Sequence, residues 1–190
     1  MNNEVIISVD NLSYKINENR LFHNLSFVLK KGEALHIVGS NGSGKSTLLR
    51  IILGITSQTK GTIKSNIESQ VCYLGHKNAL KNYLTLEDNI SIMELNDIKK
   101  LQNYIEALDL KKYMDVNVAN LSFGQQKKLA LLRIFCNESE LIILDEPFVG
   151  LDKITTELLS EFLSSELTRG KGIIFTSHIK SSITSNIIEI

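Results

Sequence analysis

The run Gly39, Ser40, Asn41, Gly42, Ser43, Gly44, Lys45, Ser46 satisfies GxxxxGK[ST], and no other stretch constrains the fold of this chain as tightly. It stands between Ala34–Val38, a short apolar segment of strand composition, and Ser46–Leu53, a segment of helical composition closed by Gly54. Strand, glycine loop and helix in that order make a phosphate cradle. Glycines let the backbone turn its N–H groups inward, and the helix adds its positive N-terminal end. Lys45 is expected to reach the β- and γ-phosphates and Ser46 to bind Mg²⁺, with Gly39 through Thr47 as the nucleotide-contacting set. A purely structural turn explains the glycines but not Lys45 and Ser46 at fixed offsets. The dinucleotide pattern GxGxxG fails, because Thr47 occupies its last glycine position.

A second constellation lies about 100 residues downstream, where the apolar run Leu141–Leu144 ends in Asp145 and Glu146. Open α/β sheets hold ligands at such strand ends. Acids there are also a common solvent-exposed exit, but the phosphate loop upstream favours a working pair. Asp145 is expected to hold Mg²⁺, directly or through water, and Glu146 to orient and polarise an attacking water. Pro147, the only proline, rigidifies the exit.

The rest of the pattern supplies a frame. Residues 4–9 and 25–29 read as strands joined through the polar stretch Lys15–Arg20, a small antiparallel entry sheet. Further β segments are expected at Gly61–Ile67 and Val71–Leu74. From Thr85 to Phe135 the spacing is helical, which predicts an inserted helical lobe over roughly 77–137. Leu141–Leu144 and Gly172–Phe175 read as buried strands flanking a helix over Thr155–Leu167. The expected fold class is α/β: a phosphate-loop NTPase core with a mainly parallel sheet, a small antiparallel β subdomain and the helical lobe, all in one domain over 1–190.

With 190 residues the chain buries roughly 70% of its extended surface and folds without disulfides or a structural metal. Cys72 and Cys136 stand far apart with no zinc spacing, in keeping with a reducing compartment. Lys and Arg total 21 and Asp and Glu total 21, so no basic footprint points to nucleic acid. No run approaches about 18 consecutive apolar residues, and the start does not read as a signal peptide, so membrane contact is expected through a partner only. His23 and His36 sit in expected strands and read as structural residues.

Asn120, Leu121, Ser122, Phe123, Gly124, Gln125 precede the helix that runs to Phe135. Ser122 with Gln125 fits a capping box, and a helix start exposing Ser and Gly is equally an anion site. Here the chain resembles the ATP-binding cassette (ABC) ATPases, whose LSGGQ signature reads Leu-Ser-Phe-Gly-Gln. The resemblance covers nearly the whole chain. It implies ATP and Mg²⁺ as ligands and a head-to-tail homodimer in which Ser122, Gly124 and Gln125 of one copy complete the phosphate site of the other. It also implies a transmembrane permease partner. Tyr14 lies where the family places an aromatic under the adenine, although a strand tyrosine equally serves packing. Gly150, Leu151 and Asp152 resemble the D-loop at the dimer seam, and His178 resembles the switch histidine that contacts the γ-phosphate.

Where most of these ATPases carry the Q-loop glutamine, His76 stands, and neutral imidazole is a poorer Mg²⁺ partner than an oxygen donor. Leu74-Gly75-His76, Leu80-Lys81, Leu84-Thr85 and the signature with its basic pair resemble one subfamily, the ATP-binding subunit of the cytochrome c biogenesis haem exporter. That resemblance implies a peripheral position on the cytoplasmic side of the cell inner membrane. The alternatives are a soluble ABC ATPase in cofactor assembly and the ATPase of an exporter for another substrate. A kinase or GTPase conflicts with the signature and with the lack of an NKxD guanine-reading motif.

Overall fold

The structure, a computed structural model, describes residues 4–67, 71–178 and 183–190. Its frame is a five-stranded parallel sheet in the order β5-β6-β7-β3-β8, formed by β3 (Ala34–Val38), β5 (Val71–Leu74), β6 (Leu141–Asp145), β7 (Gly172–Thr176) and β8 (Asn186–Glu189). Strands β6 and β7 read Leu-Ile-Ile-Leu-Asp and Gly-Ile-Ile-Phe-Thr and are buried at every position. Such runs belong in the middle of a parallel sheet whose two faces are both covered.

The alternation of side chains decides which layer each face meets. Ile142, Leu144, Ile173 and Phe175 point into a core shared with helices α4 (Phe123–Phe135) and α5 (Lys153–Thr168). Leu141, Ile143 and Ile174 point the other way, into a core shared with α1 (Lys45–Ile52) and a second sheet. That sheet is antiparallel, in the order β2-β1-β4, from β1 (Val5–Ile16), β2 (Asn19–Lys30) and β4 (Lys60–Ser65). The result is the expected α/β architecture with a small antiparallel sheet against a parallel core.

Three boundaries differ from the expectation. Strands β1 and β2 run on through the polar stretch to Ile16 and Asn19, because cross-strand pairing from Tyr14–Phe22 to Ile16–Asn19 continues to a tight turn. The segment from Thr85 to Phe135 divides into α2 (Leu86–Ile92), α3 (Ile98–Ala107) and α4, each with its own side-chain cap at Thr85, Asp97 and Ser122. The start of α4 after the Ser122 cap falls where the sequence placed it, and the separation of α2 from α3 at the Asp97 cap is the part that helical spacing alone leaves unmarked. Strand β8 goes unread in the sequence: it is four residues long, largely exposed and placed at the sheet edge. No described helix is long and apolar enough to cross a membrane.

Phe135, fully buried at the end of α4, stacks on Tyr104 at 4.3 Å and meets Phe162 edge-on at 5.0 Å, tying α3, α4 and α5 together. Phe135→Ala is expected to lower unfolding free energy by about 3–5 kcal/mol in urea titration, the usual cost of a large aromatic cavity.

Candidate functional site

The loop between β3 and α1 and the ends of β6 and β7 open on one cavity of about 490 Å³. Asn41, Gly42, Gly44, Lys45, Ser46 and Thr47 line it on one side, and His76, Asp145, Glu146 and His178 on the other. Sequence positions separated by more than 100 residues meet here because β3, β6 and β7 run parallel and deliver their C-terminal ends together.

Gly42 and Gly44 adopt φ of 84° and 107°, which curls the loop around the Lys45 ammonium. Lys45 is buried, and its Nζ donates to the carbonyls of Gly39 at 2.8 Å and Ser40 at 3.0 Å. Gly39, Ser40 and Ser43 therefore form the loop wall rather than the cavity lining. The Ser43 hydroxyl is buried without a hydrogen-bond partner, which suits a loop made to meet phosphate oxygens. Ser46 and Asp145 add a hydroxyl and a carboxylate to the same cavity. Hard oxygen donors of this kind fit Mg²⁺.

The acidic strand end is held by a residue that sequence reasoning missed. Thr176, fully buried at the end of β7, donates its hydroxyl proton to Asp145 Oδ1 at 2.8 Å and accepts from the Glu146 N–H at 2.9 Å. The only sequence signal was a hydroxyl residue ending an apolar strand two positions before His178. Glu146 has φ 49°, a left-handed conformation that costs a non-glycine residue about 1–3 kcal/mol. It turns the chain out of β6 just before Pro147. His178 secures the side chain: Nε2 lies 3.0 Å from Glu146 Oε1, and the His178 N–H donates to Oε2 at 3.3 Å. His36, read as structural, stacks on Phe175 at 4.4 Å and donates from Nε2 to the Ser177 carbonyl at 3.1 Å, supporting the segment that carries His178. His23 bonds Ser13 through Nδ1 at 3.0 Å.

Two predicted groups stand apart from this cavity. Tyr14 packs on Phe22, with ring centroids 6.1 Å apart, and lines a separate small cleft of about 200 Å³ with Lys15 and Arg20. The apolar surface beside the phosphate loop comes instead from Ile16 and Leu21. Ser122, Gly124 and Gln125 are also absent from the cavity lining. Ser122 and Gln125 complete the capping box: Gln125 N–H donates to Ser122 Oγ at 3.3 Å, and Ser122 N–H to Gln125 Oε1 at 2.8 Å.

The loop that opens α4 is fastened to the turn at residues 150–152 of the same chain. The Phe123 ring lies so close over Gly150 that a Cβ there would sit 2.4 Å from it, and Gly150 has φ 81°, a backbone conformation that strains any other residue. Lys128 reaches Asp152 at 2.6 Å, and Asp152 also caps α5 by accepting from the Thr155 N–H at 2.8 Å.

A family pattern described as ABC transporter matches residues 22–149. The chain belongs to the ABC transporter family. It is 34% identical to the cytochrome c biogenesis ATP-binding export protein CcmA of Pasteurella multocida (strain Pm70), over 85% of this chain and 83% of that protein. Against the protein of the same name from Dechloromonas aromatica (strain RCB), identity is 33% over 96% of this chain and 97% of the relative. Among solved structures, an ATP-binding subunit of an ABC transporter aligns with TM-score 0.81 and 27% identity, over 92% of this chain and 80% of that one. A putative ABC transporter ATP-binding protein from Pyrococcus furiosus shares the fold at TM-score 0.81 and 18% identity, over 96% of both chains. This protein is thus the ATP-binding, ATP-hydrolysing subunit of an ABC transporter.

The Lys128 ammonium and the Thr155 N–H hold the Asp152 carboxyl down from its ordinary 3.8 to about 2. A carboxyl depressed in the folded state stabilises the fold fully above its unfolded value and loses that contribution as pH falls through its folded value. The pair is partly exposed, so the contribution is at most about 1 kcal/mol. In urea unfolding, Lys128→Met is expected to cost the same at neutral pH as at any pH well above 3.8, and progressively less as pH drops from 3.8 towards 2.

Proposed function

We propose that this chain drives the export complex of cytochrome c biogenesis, working as an ATP-dependent dimer beneath a transmembrane permease that handles haem. The observation that carries the catalytic part is the single cavity shared by Lys45, Ser46, Asp145, Glu146 and His178. The export assignment is supported by relatives of that name matched over most of both chains, with the haem cargo taken from the subfamily resemblance.

In this reading Lys45 leaves the Gly39 and Ser40 carbonyls to meet the β- and γ-phosphates, and the Ser43 hydroxyl gains an acceptor. Ser46 and Asp145 would hold Mg²⁺, which supplies charge neutralisation on the β- and γ-phosphate oxygens. Ile16 and Leu21 offer the base an apolar wall, with Tyr14 at the neighbouring edge. Glu146 orients a water and takes its proton as the water attacks the γ-phosphorus, and ADP leaves. His178 holds the Glu146 carboxylate in place and faces the γ-phosphate. Ser122, Gly124 and Gln125 of a second copy close the cavity from outside, which accounts for their distance from it within one chain.

His76 lines the cavity and precedes α2 in the chain, which suits it to passing nucleotide state to the permease. The place of work is the cytoplasmic side of the inner membrane, reached through that partner.

Glu146→Gln is expected to keep ATP affinity within a few-fold, to lose at least about 100-fold in hydrolysis rate, and to elute as a dimer with Mg-ATP in size-exclusion chromatography. A monomer with ATP bound contradicts the dimer. In cells, the same substitution removes covalent c-type cytochromes from haem-peroxidase stains while other haem proteins persist; unchanged c-type cytochromes contradict the export role alone.

A further inference from the structure

The small cleft of about 200 Å³ beside Tyr14 shares no lining residue with the nucleotide cavity. Lys15, Arg20 and Lys60 bring three positive charges to it, in a chain whose 21 basic and 21 acidic residues balance overall. No acidic residue lines the cleft, and among the described residues no carboxylate pairs with any of the three cations. Lys15 and Arg20 are direct cross-strand partners between β1 and β2, and Lys60 of β4 pairs with Ser13, two residues back along β1. Like charges placed opposite each other destabilise a sheet, so this end of the hairpin lacks a counter-charge that the chain itself does not supply.

The strand pairing is irregular at the same point. It passes from Tyr14–Phe22 to Lys15–Arg20, so β2 skips Leu21. Ser13, Tyr14 and Lys15 all line the cleft, whereas a regular strand turns successive residues to opposite faces. The uncharged members add donors. Ser13, only 7% exposed, accepts from the Asn24 N–H at 3.0 Å and lies 3.0 Å from His23 Nδ1. That contact holds the His23 ring at the cleft and leaves Nε2 without a partner among the described residues. Thr59 accepts the Lys15 N–H on its hydroxyl oxygen at 3.2 Å, which leaves the hydroxyl proton to donate.

We propose that this cleft is a second anion site, built for a phosphate-type group carried either by a free phosphate compound or by a lipid headgroup. Arg20 offers a planar fork for two phosphate oxygens, and the two ammonium groups supply point charges beside it. Lys15 and Arg20 are next in sequence to Ile16 and Leu21, which line the nucleotide cavity, so one hairpin end serves both sites.

The test titrates the full chain, free of nucleotide, with inorganic phosphate at constant pH and follows the histidine ring signals by NMR, with His23 assigned from H23Q. The His23 signal is expected to move saturably with a Kd of about 1 mM or tighter, and K15M/R20M is expected to weaken that Kd at least about 10-fold. Phosphate in the nucleotide cavity registers at His76 and His178 instead, because those two line it. Vesicles of phosphatidylcholine, with and without phosphatidylglycerol, distinguish the sources. Sedimentation of the parent with the phosphatidylglycerol vesicles alone, lost in K15M/R20M, assigns a lipid headgroup; a phosphate response at His23 without sedimentation assigns a free phosphate compound. A His23 signal that stays still together with no sedimentation overturns the proposal. So does a shift that chloride reproduces at equal ionic strength, or one that K15M/R20M retains in full. Without any anion, K15M/R20M is expected to melt no lower than the parent, since it removes a like-charge pair. A clear drop in its melting temperature also overturns the proposal, because the cations would then serve the fold.

Discussion

Two carboxylates at the buried end of an apolar strand are unfavourable unless the neighbouring strand answers them, and here the answer is the Thr176 hydroxyl. It donates to Asp145 and accepts from the Glu146 backbone in the same stroke. Removing it leaves a buried carboxylate short of a donor and a strained Glu146 backbone without its anchor. The register of β6 against β7 puts Asp145 level with Thr176, so the sheet itself delivers the bond. Everything else in the cavity is placed relative to that junction. The phosphate loop leaves β3, which pairs with the opposite edge of β7, and His178 follows β7 by two residues.

This arrangement separates the machinery into a set that lines the cavity and a set that does not. Lys45, Ser46, Asp145, Glu146 and His178 converge within one chain. Ser122, Gly124 and Gln125 do not, and they are instead bound to the D-loop by the Phe123–Gly150 packing and the Lys128–Asp152 ion pair. In this account the signature and the D-loop travel together as one surface. Phe123, bulkier than the family's usual glycine, is accommodated because position 150 has no side chain.

Much of this was legible before the structure. The strand, glycine loop and helix around Lys45 fall within a residue of the expected bounds, since GxxxxGK[ST] fixes backbone and side-chain chemistry together. The fully apolar strands were also clear, because burial on both faces leaves no polar position to confuse them. What escaped the sequence was pairwise. Thr176 matters only because β7 lies in register with β6, and the edge strand β8 exists because β3 offers it a hydrogen-bonding edge. Tyr14 shows the same dependence on pairing: β2 packs it on Phe22 and puts Ile16 beside the loop, and its expected place under the base belongs to the proposed function.

The central claim is that one chain holds half of each ATP site and a second copy holds the other half. Mixing two inactive forms in the E146Q background tests it: one carrying Lys45→Ala, the other Ser122→Arg. Neither form alone should dimerise with Mg-ATP, because every site it could make lacks either the phosphate-loop cation or the signature face. A mixed pair unites both lesions in one site and leaves the other intact. The account predicts an ATP-dependent heterodimer holding one ATP per two chains, read by light scattering with labelled ATP. A mixture that stays monomeric, or a dimer that forms from the Ser122→Arg protein by itself, would contradict it.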